Sequence, residues 1–222
     1  VIGLMCKPPR LGKTRLAAGV GQGAARRLAA AFLRDAAELA EEVALRAQVG
    51  RIAFATEGVG EMAEFLPGWE VLPQPAGDLG ARMGAAFDTL FARGARRALL
   101  IGTDAPTLPP ALLELALAGR TDATIVPALD GGYCAIALAR PLPVLLQGMP
   151  WSTNGVLAAT RAAAARDALA LTELAPWHDV DEAEDLPRLR TSLAGAAPPG
   201  CSHLPPWRAQ NTLAALHDLS LA

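Results

Sequence analysis

Cysteine is scarce in this chain. Cys6, Cys134 and Cys201 are the only three, and they share no motif spacing. An odd, scattered set fits the reduced thiols of a cytoplasmic protein better than a disulfide framework or a zinc site. An excess of either charge is also missing. The 20 Lys+Arg and 22 Asp+Glu leave a net charge of −2, which excludes bulk binding to nucleic acid or to an anionic membrane surface. No apolar run approaches the roughly 18 residues of a membrane span. No leader with a basic start is visible. The chain opens directly on the strand-like Val1-Ile2-Gly3-Leu4-Met5, so part of a natural N-terminus is expected to be missing. There is no internal repeat, and no low-complexity tract beyond a bias toward alanine.

What is present suits one α/β domain with a large core: 222 residues, 52% of them hydrophobic, with a mean hydropathy of +0.27. The central stretch is Leu99-Leu100-Ile101-Gly102-Thr103-Asp104-Ala105-Pro106. Its apolar run reads as a buried strand with no polar face, stopped at Gly102 and unable to continue through Pro106. Asp104 is therefore expected where a central parallel strand ends, the edge at which open α/β sheets bind ligands. A carboxylate there can hold a hard cation carrying phosphates. It can equally cap the turn or helix that follows, which Pro109 and Pro110 begin.

The first strand, residues 1 to 6, runs into Lys7-Pro8-Pro9-Arg10-Leu11-Gly12-Lys13-Thr14-Arg15-Leu16. Both lysines of the chain lie here. Strand, basic glycine-containing loop and helix N-terminus together form a sensible phosphate cradle. It is not a Walker loop, because no glycine stands five residues before Gly12. The plainer alternative is a solvated basic turn, and the concentration of Lys7, Arg10, Lys13 and Arg15 favours the cradle.

Further along, the pattern predicts a long helix over 22–48, broken near Gly21 and Gly23, with a core stripe of Leu28, Phe32, Leu39 and Val43. Strands follow at 51–55 and 69–72, separated by a helix at 60–66, and Trp69 reads as packing. In Gln74-Pro75-Ala76-Gly77-Asp78-Leu79-Gly80-Ala81-Arg82-Met83, Asp78 can cap the helix running to about 93. Gln74 and Arg82 can reach a base or a phosphate, or simply belong to a capped loop. A strand at 95–104 and a helix at 109–118 precede another strand at 122–126. Asp130-Gly131-Gly132-Tyr133 then allows close backbone approach to a ligand, or a plain hairpin turn into a strand at 134–139. Trp151-Ser152-Thr153 precedes a helix at 154–166, with Ser152 or Thr153 as its N-cap, and 169–171 reads as a strand. In Asp179-Val180-Asp181-Glu182 the two aspartates are expected on opposite faces, one toward the site and one capping the next helix. Residues 195–207 form a Gly- and Pro-rich arm. A terminal helix over 207–219 docks on the body or on a neighbouring subunit, so a homodimer is one expected assembly.

Together these segments resemble the bacterial proteins of the selenodomain-associated transferase 1 family, glycosyltransferase-like proteins with the nucleotide-diphospho-sugar transferase fold. The motifs that carry the resemblance run in order over residues 1 to about 190. They are Lys7-Pro8-Pro9 with Lys13-Thr14-Arg15-Leu16, Gly77 to Met83, Gly102 to Pro106, Pro127 to Tyr133, Pro150 to Thr153, and Asp179-Val180-Asp181 with Glu184-Asp185-Leu186. More distantly, the pattern is similar to the guanylyltransferases that build cofactor F420 precursors and the molybdenum cofactor nucleotide. Three positions depart from the family pattern: Leu11 in a shortened loop, Glu182 in place of Thr, and Cys134 in place of a second aromatic.

The resemblance implies a three-layer α/β/α sandwich with a mostly parallel mixed sheet over 1–194, followed by the arm and helix over 195–222. It implies Asp104 and Asp181 as ligands of Mg²⁺ or Mn²⁺, and Lys7, Lys13 and Arg15 as phosphate partners. Asp78 and Arg82 shape the nucleotide side of the cleft, while Gly131, Gly132, Trp151 and Ser152 border the acceptor. Asp130 is the general base, acting with Lys13 and Arg15 as the catalytic groups. The implied partners are a nucleotide or nucleotide-sugar donor and a small-molecule acceptor, with no nucleic acid and no membrane span. Glycosyl transfer is the first reading. Nucleotidyl transfer from a triphosphate with loss of pyrophosphate is the second, and a non-catalytic nucleotide-binding protein with a degenerate loop is the third.

Overall fold

A computed structural model describes residues 1–198, 201 and 203–220. Part of the expected arm (Pro199, Gly200, Ser202) and the last two residues of the chain lie outside the described residues. The described residues form seven strands and eight α-helices in the order β1 (Ile2–Cys6), α1 (Thr14–Val20), α2 (Gln22–Ala47), β2 (Arg51–Ala55), α3 (Val59–Phe65), β3 (Glu70–Pro73), α4 (Leu79–Ala92), β4 (Ala98–Ile101), α5 (Pro110–Ala118), β5 (Ala123–Pro127), β6 (Tyr133–Leu138), α6 (Val156–Arg166), β7 (Leu171–Glu173), α7 (Leu186–Leu193) and α8 (Gln210–Asp218). The strands form one sheet in the order β3-β2-β1-β4-β6-β5-β7. Only β6 runs antiparallel to its neighbours, so the sheet is mixed and mostly parallel, as expected.

The inner strands β1, β4 and β5 lack a polar face, and helices cover both sides of them. Ile2, Leu4, Leu99 and Ile101 pack with α2 and α5 in one apolar layer. Leu100, Phe54, Ile125 and Ile136 pack with α4 and α6 in the other. A third cluster joins Leu16, Leu28, Phe32, Val180, Leu189 and Leu216. It ties α1, α2, α7 and α8 to the segment carrying the late aspartates. Trp69 is 8% exposed and its indole N–H donates to Glu41 at 2.8 Å, a packing role.

Several boundaries move for local reasons. Gly21, at φ +85°, separates α1 from α2, while Gly23 lies inside α2. Neither Ser152 nor Thr153 caps α6. Gly155 is the N-cap, and Thr153 instead accepts from Gly155 N–H at 3.2 Å and donates to Pro150 C=O at 2.7 Å. The last strand begins at Leu171 because Leu169 closes the end of α6, its N–H donating to Ala164 C=O at 2.8 Å past a left-handed Ala168. The C-terminal helix α8 docks on α2 of the same chain. Ala209 offers its N-terminus no side chain. Asp35 of α2 caps it instead, accepting from Asn211 N and Thr212 N at 3.0 and 2.8 Å.

Candidate active site

Strands β1, β2 and β3 lie on one side of the β1/β4 boundary, and β4 begins the return on the other. That reversal is a topological switch point, where ligands bind outside the carboxyl ends of the strands. A cavity of about 660 Å³ opens at this edge, a volume suited to a nucleotide-sized ligand. Lys7, Lys13, Arg15, Gln74, Arg82, Asp104, Asp130, Gly132, Trp151, Ser152, Asp179 and Asp181 all line it.

The loop after β1 makes a single 3-10 turn, Pro9–Leu11, and then takes Lys13 through a left-handed φ of 56° into α1. This turns the Lys13 side chain inward, where only 4% of it is exposed. Its ammonium donates to Val180 C=O at 2.5 Å and to Asp181 Oδ1 at 3.0 Å, and it pairs with Asp104 Oδ1. Burial opposes the charge on Lys13, but the two aspartates outweigh it and raise its pKa. Burial likewise opposes ionisation of Asp104, and Lys13, with Lys7 and Arg15 behind it, holds the carboxyl below its usual range. Asp104 and Asp181 therefore meet on one cation, and that cation is an ammonium. A backbone bond from Val180 N–H to Asp104 C=O, 2.8 Å long, pins the two segments together.

Arg15 reaches Asp181 Oδ2 at 2.6 Å and Glu182 at 3.5 Å. Arg10 is drawn away from the cleft by Glu57 and Glu61, at 2.6 and 3.2 Å, so it leaves the cationic lip. Lys7 stays exposed at the cavity mouth.

The late acidic motif corrects the expected orientation. Residues i and i+2 of an extended segment share a face, so Asp179 and Asp181 both line the cavity while Val180 between them is fully buried. The capping falls to Asp185 and Glu182. Asp185 Oδ2 accepts from Asp181 N and Glu182 N at 2.9 Å each, and the Glu182 side chain completes the box. Period-two spacing is the signal that identifies Asp179 as a site residue. Burial, then Asp130, Asp181 and Asp104, push its carboxyl up to about 6. Burial, and then Asp179, Asp130 and Asp104, raise the Cys134 thiol well above its ordinary value.

The Asp130-Gly131-Gly132 turn joins β5 to β6. Asp130 Oδ1 accepts from Gly132 N–H at 2.8 Å, which fixes the carboxylate at the rim. Gly131, at φ +93°, lies so close to the backbone of Asn154 that a Cβ would sit 2.2 Å from its carbonyl oxygen. Only glycine permits that approach. Tyr133 and Trp151 meet edge to face at 6.2 Å, and Tyr133 OH, Trp151 Nε1 and Thr56 Oγ1 are buried without partners. Gln74 Nε2 donates to Phe54 and Cys6 carbonyls at 2.6 and 3.2 Å. Asp78 serves as the N-cap of α4, accepting from Ala81 N–H at 2.8 Å, and it does not line the cavity. Arg82 does line it, with Nε donating to Gly77 C=O at 2.9 Å.

Among the described residues no three His, Cys, Asp or Glu side chains form a metal cage, and no helix is long and apolar enough to cross a membrane. The chain is similar to the crystal structure of a candidate nucleotide-diphospho-sugar transferase from Desulfovibrio desulfuricans G20, at 28% identity and TM-score 0.82, over 98% of this chain and 95% of that one. It shares its fold with a nucleotidyl transferase from Methanothermobacter thermautotroptrophicus, at 17% identity and TM-score 0.55 over 87% and 97% of the two chains. It also shares its fold with a CMP:2-keto-3-deoxy-manno-octonic acid synthetase complexed with CTP, at 13% identity and TM-score 0.53 over 87% and 98%. No curated protein matches the chain. Residues 33–153 match the family described as "Uncharacterized protein conserved in bacteria (DUF2064)", and the chain belongs to that family.

Proposed function

We propose that the chain is a transferase using a nucleotide-activated donor, and that it moves a glycosyl group from a nucleotide-diphospho-sugar to a small acceptor. The observation that carries this reading is the meeting of Asp104 and Asp181 on one cation at the β1/β4 edge, in the cavity that Lys7 and Arg15 also line.

The donor set fits a hard divalent cation. It consists of carboxylates, and Mg²⁺ is commonly held by one or two of these plus substrate phosphates rather than by a full protein cage. Asp104 and Asp181 would hold Mg²⁺, or Mn²⁺ in its place, and the bound ion would offset charge on the leaving phosphates. Lys7 and Arg15 supply further positive charge at the lip. Asp130, held at the rim by its own turn, would take the proton of an acceptor hydroxyl. Tyr133 and Trp151 form an aromatic wall of the cavity. Such a wall suits a polyhydroxyl acceptor or donor sugar, and this favours glycosyl transfer.

A second reading, nucleotidyl transfer from a triphosphate, draws support from Lys7, Lys13 and Arg15 bordering one cavity. Thermal-shift measurements with nucleotide sugars and nucleoside triphosphates, each with and without Mg²⁺, separate the two. Mg²⁺-dependent stabilisation by nucleotide sugars is the expected result. Stabilisation by triphosphates alone transfers the assignment to nucleotidyl transfer, and no response to either class overturns both.

A further inference from the structure

We propose that Lys13 is the resident cation of the Asp104–Asp181 pair, and that the nucleotide must enter as its divalent-metal chelate, because the ion takes that place only by displacing the ammonium. The inference rests on the transferase reading above for the identity of the chelate.

An ammonium has three N–H donors, and all three are answered here, by Asp104 Oδ1, Asp181 Oδ1 and Val180 C=O. The Phe32 ring, 5.3 Å from Nζ, covers a further side. With this shell complete and 4% of the side chain exposed, Lys13 has no donor left for a phosphate. The expected division of labour, Lys13 on phosphate and the two aspartates on metal, therefore does not hold in this resting arrangement.

The opening is on the other side. The Asp104 side chain is 45% exposed and faces the cavity, so a second cation approaches from there. A divalent ion and an ammonium bound to the same carboxylate oxygens repel one another, and full occupancy by one expels the other. Free metal must overcome a complete ammonium shell and gains little. A chelate also brings phosphates, which receive the displaced ammonium, because Lys13 lines the same cavity. Lys13 would then turn from the aspartates to the phosphates, and metal and nucleotide would strengthen each other's binding.

The composition makes this testable. Lys7 and Lys13 are the only two lysines, so a proton–nitrogen spectrum of the whole chain labelled at lysine Nζ carries two ammonium signals. We expect one of these, from Lys13, to be protected from exchange, to keep its position in millimolar Mg²⁺ alone, and to leave that position, by shift or by loss, when Mg²⁺ is added with a mixture of nucleoside diphosphates. An unmoved signal after the chelate has demonstrably bound overturns the proposal, and so does its displacement by Mg²⁺ alone. In a second arm, Lys13→Met is titrated with Mn²⁺ without nucleotide, and free Mn²⁺ is read by electron spin resonance. An affinity at least about tenfold above that of the wild type is expected, and an unchanged affinity in a folded variant refutes the resident-cation role. If Lys13→Met does not fold, the spectrum of the wild-type chain decides alone. If no nucleotide binds, the transferase reading fails, and the Mn²⁺ arm still judges the part of the proposal that concerns Lys13.

Discussion

Two of the places where this molecule buries polar groups answer them differently. Behind the sheet edge, Asp35 takes hydrogen bonds from the backbone N–H groups of Asn211 and Thr212 and from both their side chains. His178 too is fully buried, bonded to Ser192 at 2.8 Å and stacked on Trp177. These are joints held by neutral partners. At the cleft, Asp104 and Asp181 are answered by Lys13 and Arg15, and Asp179 is flanked mainly by other carboxylates. Neutral partners fixed by the backbone cannot leave without unfolding something. Charged side chains can exchange for other charges at little structural cost, and an exchangeable partner is what a ligand site requires.

The largest effect should come from the exchangeable side. Asp104→Asn removes the half-exposed charge and leaves the fold in place. Nucleotide affinity in the presence of Mg²⁺ should fall about 100-fold, or about 3 kcal/mol, with a small change in melting temperature. Calorimetric titration measures the first and thermal denaturation the second. Unchanged affinity would remove Asp104 from the cation site and blur the contrast between the regions.

Acid should strike the other region. Burial, with Arg188 adding to it, lowers the pKa of His178 from 6.5 to about 4. A depressed pKa means stability that is fully present above the unfolded value and lost as pH falls through the folded one. About 3 kcal/mol should disappear between pH 6.5 and 4. Asp35 works in the opposite sense, since its buried carboxyl is raised despite four hydrogen bonds, so the comparison must isolate one group. Plotted as unfolding free energy against pH, His178→Gln should be flatter than the wild type across that window. Parallel curves would show that His178 titrates normally.

Asp35→Ala tests the joint directly. It leaves the first turn of α8 without its cap and costs about 2 kcal/mol by chemical denaturation. The shift in melting temperature produced by a bound nucleotide should survive. Loss of that shift would show that α8 supports the site through the cluster joining Leu216 to Leu16 and Val180, and the two regions would then act as one.

Most of the fold was legible because its signals are local. The apolar run ending at Gly102, the glycine break at Gly21 and the prolines opening α5 each act within a few residues. The edge that carries Asp104 followed from the strand, since a parallel β4 puts its carboxyl end at the ligand side. The partners of the site were harder to see. Lys13 and Asp181 lie 168 positions apart, and nothing in the basic loop says that its buried lysine serves carboxylates rather than phosphates. Arg10 is indistinguishable from the other cations of its loop by sequence, because Glu57 and Glu61, which claim it, belong to a loop and helix on another connection. Asp179 was within reach of sequence reasoning, because period-two spacing places it beside Asp181, yet the two were expected to face apart.

The smallest effect decides a residue that stands between the two regions. Asp78 belongs to a motif expected to shape the nucleotide side of the cleft, but its side chain accepts from Ala81 N–H at the start of α4. If it is only a cap, Asp78→Ala should cost about 1 kcal/mol and Asp78→Ser should restore most of it, because a hydroxyl accepts the same bond. Nucleotide affinity should be unchanged in both variants. A Ser variant that regains stability yet binds nucleotide less tightly would show that the charge itself acts on the ligand. Asp78 would then join Asp104 and Asp181 among the exchangeable carboxylates, and the boundary between joint and site would move to the first turn of α4.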